Sequence, residues 1–261
     1  MLRYFKLQKI FIVQYLKQLM EYKTDFVIGI IGVFLTQALN IAFLWIIFSK
    51  IPTLYGWTLT QIAFIYGFSL IPKGIDHLLF DNLWNLGKRI IRNGQFDKYM
   101  LRPISPLFQV LIETFQLDAC GELIIGIALL IKTSNIVHWS LWKATLFIIA
   151  IPFATLIYTS IKIIAASIAF WSKQSGSLMY IFYMLNNFAK YPVSIYNGTI
   201  RIIISFIIPF AFTAFYPASF FLTGNKGWFN IGGLIIISIL LFTLSLLIWH
   251  KGISVYESSG S

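Results

Sequence analysis

The chain has 261 residues, of which 58% are hydrophobic and 11% charged, with a mean hydropathy of +0.80 and a formal net charge of +11. So few charged residues cannot coat a soluble globule, and apolar runs of about 20 residues, each able to cross a hydrocarbon core of roughly 30 Å as a helix, recur along the sequence. A β-barrel is excluded because its strands would alternate every second residue. Nucleic acid is excluded as a partner because the basic residues flank apolar spans, as they do on the cytoplasmic face of a membrane protein. The single cysteine, Cys120, permits no internal disulfide.

Taken in chain order, residues 1–24 come first. Polar positions 3, 6, 14, 17 and 21 recur opposite Phe5, Ile12, Leu16 and Leu19, which predicts an amphipathic helix lying in the membrane interface. The order of a cleavable export signal, basic then apolar then small, is not obeyed. A first span is expected over Phe26 to Phe48 and a second over Leu59 to Leu83, the latter interrupted by Pro72, Lys73, Gly74, Asp76 and His77 and therefore kinked. A basic connection over 85–106 leads to a third span over Leu107 to Ile131, and a fourth covers Leu141 to Phe170, with Lys162 snorkelling to the headgroups. The apolar part of 171–201, Leu178 to Phe188, is too short to span and reads as an interfacial or partly inserted cytoplasmic helix. A fifth span over 202–222, broken by Pro209 and Pro217, and a sixth over 229–249 precede a polar tail, 251–261.

The expected fold is thus an all-α integral membrane protein, one domain over 1–261, in which residues 25–250 form a bundle of six transmembrane helices preceded by the interfacial N-terminal helix. The cations collect on one side, including Arg3, Lys6, Lys88, Arg89, Arg92, Lys98, Arg102, Lys190 and Arg201. Only Lys50, Lys132, Lys143 and Lys226 fall on the other. This asymmetry predicts that both termini are cytoplasmic.

The sequence shows no enzyme site. The three histidines stand apart, with no metal-ligand spacing, and no Gly-rich phosphate loop is present, so any nucleotide must be bound by another subunit. Lys73, Asp76 and His77 share a face of the second span at i, i+3 and i+4, and Asp118 and Glu122 share one of the third. Ionisable groups at such depth are functional candidates. The first set reads alternatively as a self-neutralising local pair. For Asp118 and Glu122 the sequence fixes no basic partner, so they are expected to need one from another helix or a second subunit. An ion-gradient-driven secondary carrier using Asp76, Asp118 or Glu122 is the alternative function, and a membrane scaffold a weaker third.

At the charged loop the chain resembles the membrane permease subunits of type-2 ATP-binding-cassette (ABC) transporters, in their bacterial six-span branch. The resemblance lies in Tyr22-Lys23-Thr24-Asp25-Phe26, in Gly94, Asp97 and Leu101-Arg102-Pro103-Ile104-Ser105-Pro106-Leu107-Phe108-Gln109, and in Leu117-Asp118. It continues in Tyr191-Pro192-Val193-Ser194-Ile195-Tyr196, Ile208-Pro209-Phe210-Ala211-Phe212 and Tyr216-Pro217-Ala218. It implies a permease of an ATP-driven transporter, mostly an exporter, paired with an identical or paralogous second permease. ABC ATPase subunits would supply the ATP and Mg site, and this chain would carry no cofactor, no metal and no catalytic residue. The loop over 85–106 would couple the ATPase to the spans, with Arg89, Arg92, Gly94, Phe96, Asp97 and Arg102 as candidate contacts. The Phe96 ring is expected to fill a pocket on the ATPase, so that Phe96→Ala would uncouple transport without loss of expression; the alternative is that it only anchors the loop to the headgroup interface.

Overall fold

The structure, a computed structural model, describes residues 23–258 together with Val13. The interfacial helix expected over 1–24 therefore falls almost wholly outside the described residues. Among the described residues, five helices are long and apolar enough to cross a membrane: Phe26–Phe48, Leu59–Phe80, Leu117–Ile136, Leu141–Ser172 and Trp228–Ser254. No strand occurs among the described residues beyond the isolated bridge between Leu54 and Trp57.

Helix α1 (Lys23–Phe48) is peripheral: only 11% of its most apolar stretch is buried, against 67% for α2 (Leu59–Phe80). A capping box starts α2, where the Gln61 N–H donates to Thr58 Oγ1 at 3.4 Å and the Thr58 N–H to Gln61 Oε1 at 3.0 Å. Pro72 lies inside α2 without ending it. The helix runs on through it, and the Pro72 carbonyl accepts a bond from Thr155 Oγ1 at 3.4 Å. Packing on several sides holds the continuous helix despite the lost backbone bond.

Beyond α2, short pieces form a compact subdomain: α3 (Leu83–Asn85) with the π-turn Leu86–Ile90, α4 (Asp97–Met100) and α5 (Pro106–Ile112). Gly94, at φ +67°, supplies the reversal between them. The third span does not begin at Leu107. The chain leaves helical geometry over 113–116, and the span starts at Leu117 and is built on α6 (Cys120–Thr133). Glu113 explains the break, because its carboxylate is held by Lys98 at 2.9 Å and by the Tyr99 hydroxyl, which ties this turn to the polar subdomain. The pairing of α2 with α6 is the most extensive among the described helices. A Cβ on Gly126 would lie 3.1 Å from the Gly67 carbonyl oxygen, and one on Gly67 would lie 3.2 Å from that of Gly126. Small residues let these two backbones touch, as membrane helices require for dispersion contact.

The fourth span is α7 (Leu141–Ser167) with α8 (Ala169–Ser172). The segment after it runs into the bundle rather than along the interface. Helix α9 (Gly176–Asn186) and the 3₁₀ turn Asn187–Lys190 do not lie along the surface beside the basic loop. Ser175 N–H bonds the Gly87 carbonyl at 2.8 Å, Tyr183 meets Trp84, Asn186 meets Tyr158, and Lys190 reaches Asn40 at 2.9 Å and the ring of Tyr66. The segment thus climbs antiparallel to α2, away from the loop and into the bundle. Its length suits neither a lone span nor a solvated helix, yet burial against α2 and α7 accommodates it.

The fifth segment, expected as a span over 202–222 broken by Pro209 and Pro217, breaks at Pro209 but not at Pro217, and forms two short helices. One is α10 (Gly198–Ile202), extended by the π-turn Ile203–Ile207, and the other is α11 (Phe215–Thr223). Pro209 has no N–H and drives Ile208 out of helical geometry, to φ −125° and ψ 81°. Phe215 contacts Trp57 and Phe221 contacts Trp139, so α11 packs at the end of the bundle remote from the basic loop. Finally α12 (Gly233–Ser254) returns to the loop, where Trp249 is fully buried. One end of the bundle thus carries Lys88, Arg89, Arg92, Lys98, Arg102, Lys173 and Lys251. Lys190 and Arg201, expected beside them, belong to the segment that has left that end.

Candidate functional site

Three spans contribute ionised groups to one interior cluster. Lys73 of α2 stands 2.7 Å from Glu122 Oε1 of α6, and Asp76 of α2 stands 2.7 Å from Lys162 of α7. Lys162 also reaches Asp81 at 3.2 Å and the Phe80 carbonyl at 3.3 Å, while Thr159 donates to Asp76 Oδ1 at 2.8 Å. His77 lies between the acids of α6, 3.6 Å from Glu122 Oε2 and 4.0 Å from Asp118 Oδ2. Neither is a hydrogen-bonding distance, and Glu122 Oε2 is buried without a hydrogen-bond partner.

The structure brings together all five residues that the sequence singled out here, but pairs them differently. Lys73 and Asp76, neighbours on one helix, do not neutralise each other; each takes a partner from another span. Asp118 and Glu122 find basic neighbours within this chain, so their burial creates no need for a second subunit. Lys162 does not snorkel outward. Its head is held inside by two carboxylates and a carbonyl, since a lysine taken out of water must be both paired and hydrogen-bonded. Sequence reasoning passed over Lys162, Asp81 and Thr159 as site residues. The signal was present, because Thr155, Thr159 and Lys162 recur at helical spacing on one face of an otherwise apolar run.

The cluster lines a cavity of about 380 Å³ that also takes in Trp84, Lys88, Tyr158, Tyr180, Tyr183 and Asn186. A smaller one, about 50 Å³, continues it past Lys73, Tyr158, Tyr183 and Asn186 to Gln37, Asn40, Tyr66 and Lys190. Together they make a polar lane from the basic end deep into the bundle. Among the described residues no set of His, Cys, Asp and Glu side chains has the grouping to hold a metal ion.

The loop over 85–106 forms a second, separate element. Leu83, Leu86, Ile90, Ile91, Phe96 and Tyr99 share a buried cluster with Ile163, Ala166, Phe170 and Trp249. Phe96 is fully buried, with ring contacts to Tyr99, Phe170, Trp249 and Tyr256. It therefore does not present its ring to a partner, contrary to expectation. Asp97 accepts from Tyr256 Oη at 2.9 Å and Ser258 Oγ at 2.5 Å, and Arg92 donates to Gln174 at 3.1 Å. Burial and then the bond to Asp97 push the Tyr256 phenol up to about 12, and burial with the Glu113 carboxylate holds that of Tyr99 well above the ordinary tyrosine range. Both phenols are thus fixed as donors. Arg89, Arg102, Met100 and Leu101 remain exposed, Leu101 at 85%.

A bundle of apolar helices whose charges are neutralised inside it, with a basic subdomain folded onto one end, defines a multi-pass membrane protein with a polar interior. The model of the ABC-2 family, described as ABC-2 family transporter protein, matches residues 34–260, and the chain belongs to that family. It is a type-2 ABC transporter permease, a membrane component of a kind that associates with ABC ATPase subunits. No curated protein and no solved structure matches the chain.

Proposed function

We propose that this permease is the membrane half of an ATP-driven exporter, with its basic end in the cytoplasm and the exposed face of residues 88–102 as the dock for the ATPase. The observation that carries the reading is the burial of Phe96 among Phe170 and Trp249. A push on the outer face of the loop reaches the ends of α7 and α12 through packed rings rather than through a solvated tether. Packed interiors transmit displacement because they hardly compress. Gly94 sets the reversal that folds the loop back, and the Asp97 bonds to the tail beyond α12 hold it there. Contact with the ATPase then falls to Arg89, Arg92, Leu101 and Arg102, the side chains directed outward.

On this reading the ion pairs Lys73–Glu122 and Lys162–Asp76 tie α2, α6 and α7 into one body that moves when the loop is displaced. A second permease, identical or paralogous, completes the translocation path, and ATP with Mg is bound by the ATPase alone. The plasma membrane of a bacterium, with both termini cytoplasmic, is the location that fits the basic asymmetry. Reconstitution of the permease with its ATPase in vesicles tests this. Transport should stop when ATP is withdrawn and persist when ion gradients are collapsed, and the reverse result would restore the secondary-carrier reading.

A further inference from the structure

Every carboxylate that lines the polar lane is matched to a lysine: Glu122 to Lys73, and Asp76 and Asp81 to Lys162. Two lysines of the lane are left over. Lys88, at the mouth, lies 4.8 Å above the Trp84 ring, and Lys190, at the deep end, lies 5.9 Å from the rings of Tyr66 and Tyr191 and 2.9 Å from Asn40 Oδ1. Among the described residues neither has a carboxylate within ion-pair distance. Lys88 is exposed at the basic end, whereas Lys190, within the bundle, would ordinarily demand an anion, and there aromatic faces and the Asn40 amide stand in for one.

Along one side the lane is walled by α9, whose Tyr180, Ile181, Tyr183 and Met184 are exposed. The main cavity, about 380 Å³, falls in the range of roughly 300–1,000 Å³ usual for small-ligand sites. A surplus cation at each end of a polar groove, beside an exposed apolar and aromatic helix face, complements one kind of molecule. It has an anionic head and an apolar tail.

We propose that the lane binds anionic amphiphiles, with Lys88 receiving the phosphate or carboxylate head at the mouth and Lys190 holding it deep in the bundle, while the tail lies against α9. The assignment of the lane to the transported molecule rests on the exporter reading, but binding itself does not. An anion at either station forms a charge-assisted bond with no carboxylate to displace, whereas a cationic head would compete with Lys73 and Lys162 for acids already engaged.

Native mass spectrometry of the permease released from maltoside tests this, with lysophosphatidic acid and lysophosphatidylcholine of equal chain length as probes. Wild type should prefer the anionic lipid. Lys190→Gln should weaken it about tenfold, as for one lost bond to a charged group, and Lys88→Gln combined with it should abolish the preference. Lys190→Arg should retain binding. Lys226→Gln removes the same charge outside the lane and should change nothing. Equal binding of the two lipids, or a preference that survives the double substitution or falls equally with Lys226→Gln, would overturn the proposal. No ATPase is present, so failure here is distinct from failure of ATP coupling.

Discussion

Phe96 and Trp249 meet edge to face at 6.0 Å, joining the loop after α2 to the end of α12. Phe170 closes the triangle at 5.1 Å from Phe96 and 5.3 Å from Trp249. Removing the Phe96 ring should leave a cavity costing about 3–5 kcal/mol. Phe96→Ala should therefore lower the unfolding temperature and the yield of folded protein, with Phe96→Leu much milder. Unchanged thermal stability of Phe96→Ala in detergent would show that the ring does not hold the loop.

On the docking face proposed above, Leu101 and Arg102 are expected to carry the ATPase contact, since Phe96 is buried. Leu101→Asp with Arg102→Glu should cut co-purification of the ATPase severely while leaving permease stability within about 0.5 kcal/mol, the usual range for surface changes. Full ATPase recovery would place the dock elsewhere on the basic end.

Lys162 faces Asp76 and Asp81 together, so its loss strands two carboxylates. Lys162→Met should destabilise by about 3–5 kcal/mol, the usual result of removing one partner from a buried ion pair. Asp76→Asn, which leaves Lys162 with Asp81, should cost less. Combining Asp76→Asn with Lys162→Met should recover part of the loss, and thermal unfolding of the three variants reads the order directly.

Gly126 packs against α2, where a methyl would meet the end of the Ile71 side chain at 2.9 Å, which can move, but also Leu70 Cβ at 3.0 Å and the Gly67 carbonyl oxygen at 3.1 Å, which cannot turn aside. Gly126→Ala should separate α2 from α6 at a cost of about 1–3 kcal/mol. An unaltered melting temperature would mean that the helices are not in backbone contact.

Topology discriminates between the expected and the observed course of the fifth segment. With Cys120 replaced, Thr199→Cys should react with a membrane-impermeant maleimide from outside intact cells, as should Asn225→Cys, while Gln95→Cys should not. Protection of position 199 from outside, with labelling only after the membrane is opened, would return α10 to the cytoplasmic side.

Four long apolar spans were legible, their starts within about one residue and their ends within about five, from Phe26–Phe48 to the last helix, because bilayer thickness sets their length and no tertiary partner is needed to define them. The basic end was legible as well, since charge placement is written in the chain. Gly94 marked its turn because only backbone freedom is required there. Partner choice was not legible. Lys73 and Asp76 look like a local pair at i and i+3, and only the register of α2 against α6 and α7 sends one to Glu122 and the other to Lys162. The same holds for Phe96, whose aromatic ring reads equally as a contact or an anchor until Phe170 and Trp249 converge on it. The break at Pro209 was legible, because a proline without an N–H acts locally, but that Pro217 sits inside a helix was not. Residues 176–190 are too short to declare themselves a membrane segment, and packing against neighbouring helices, which no local pattern records, decided their course.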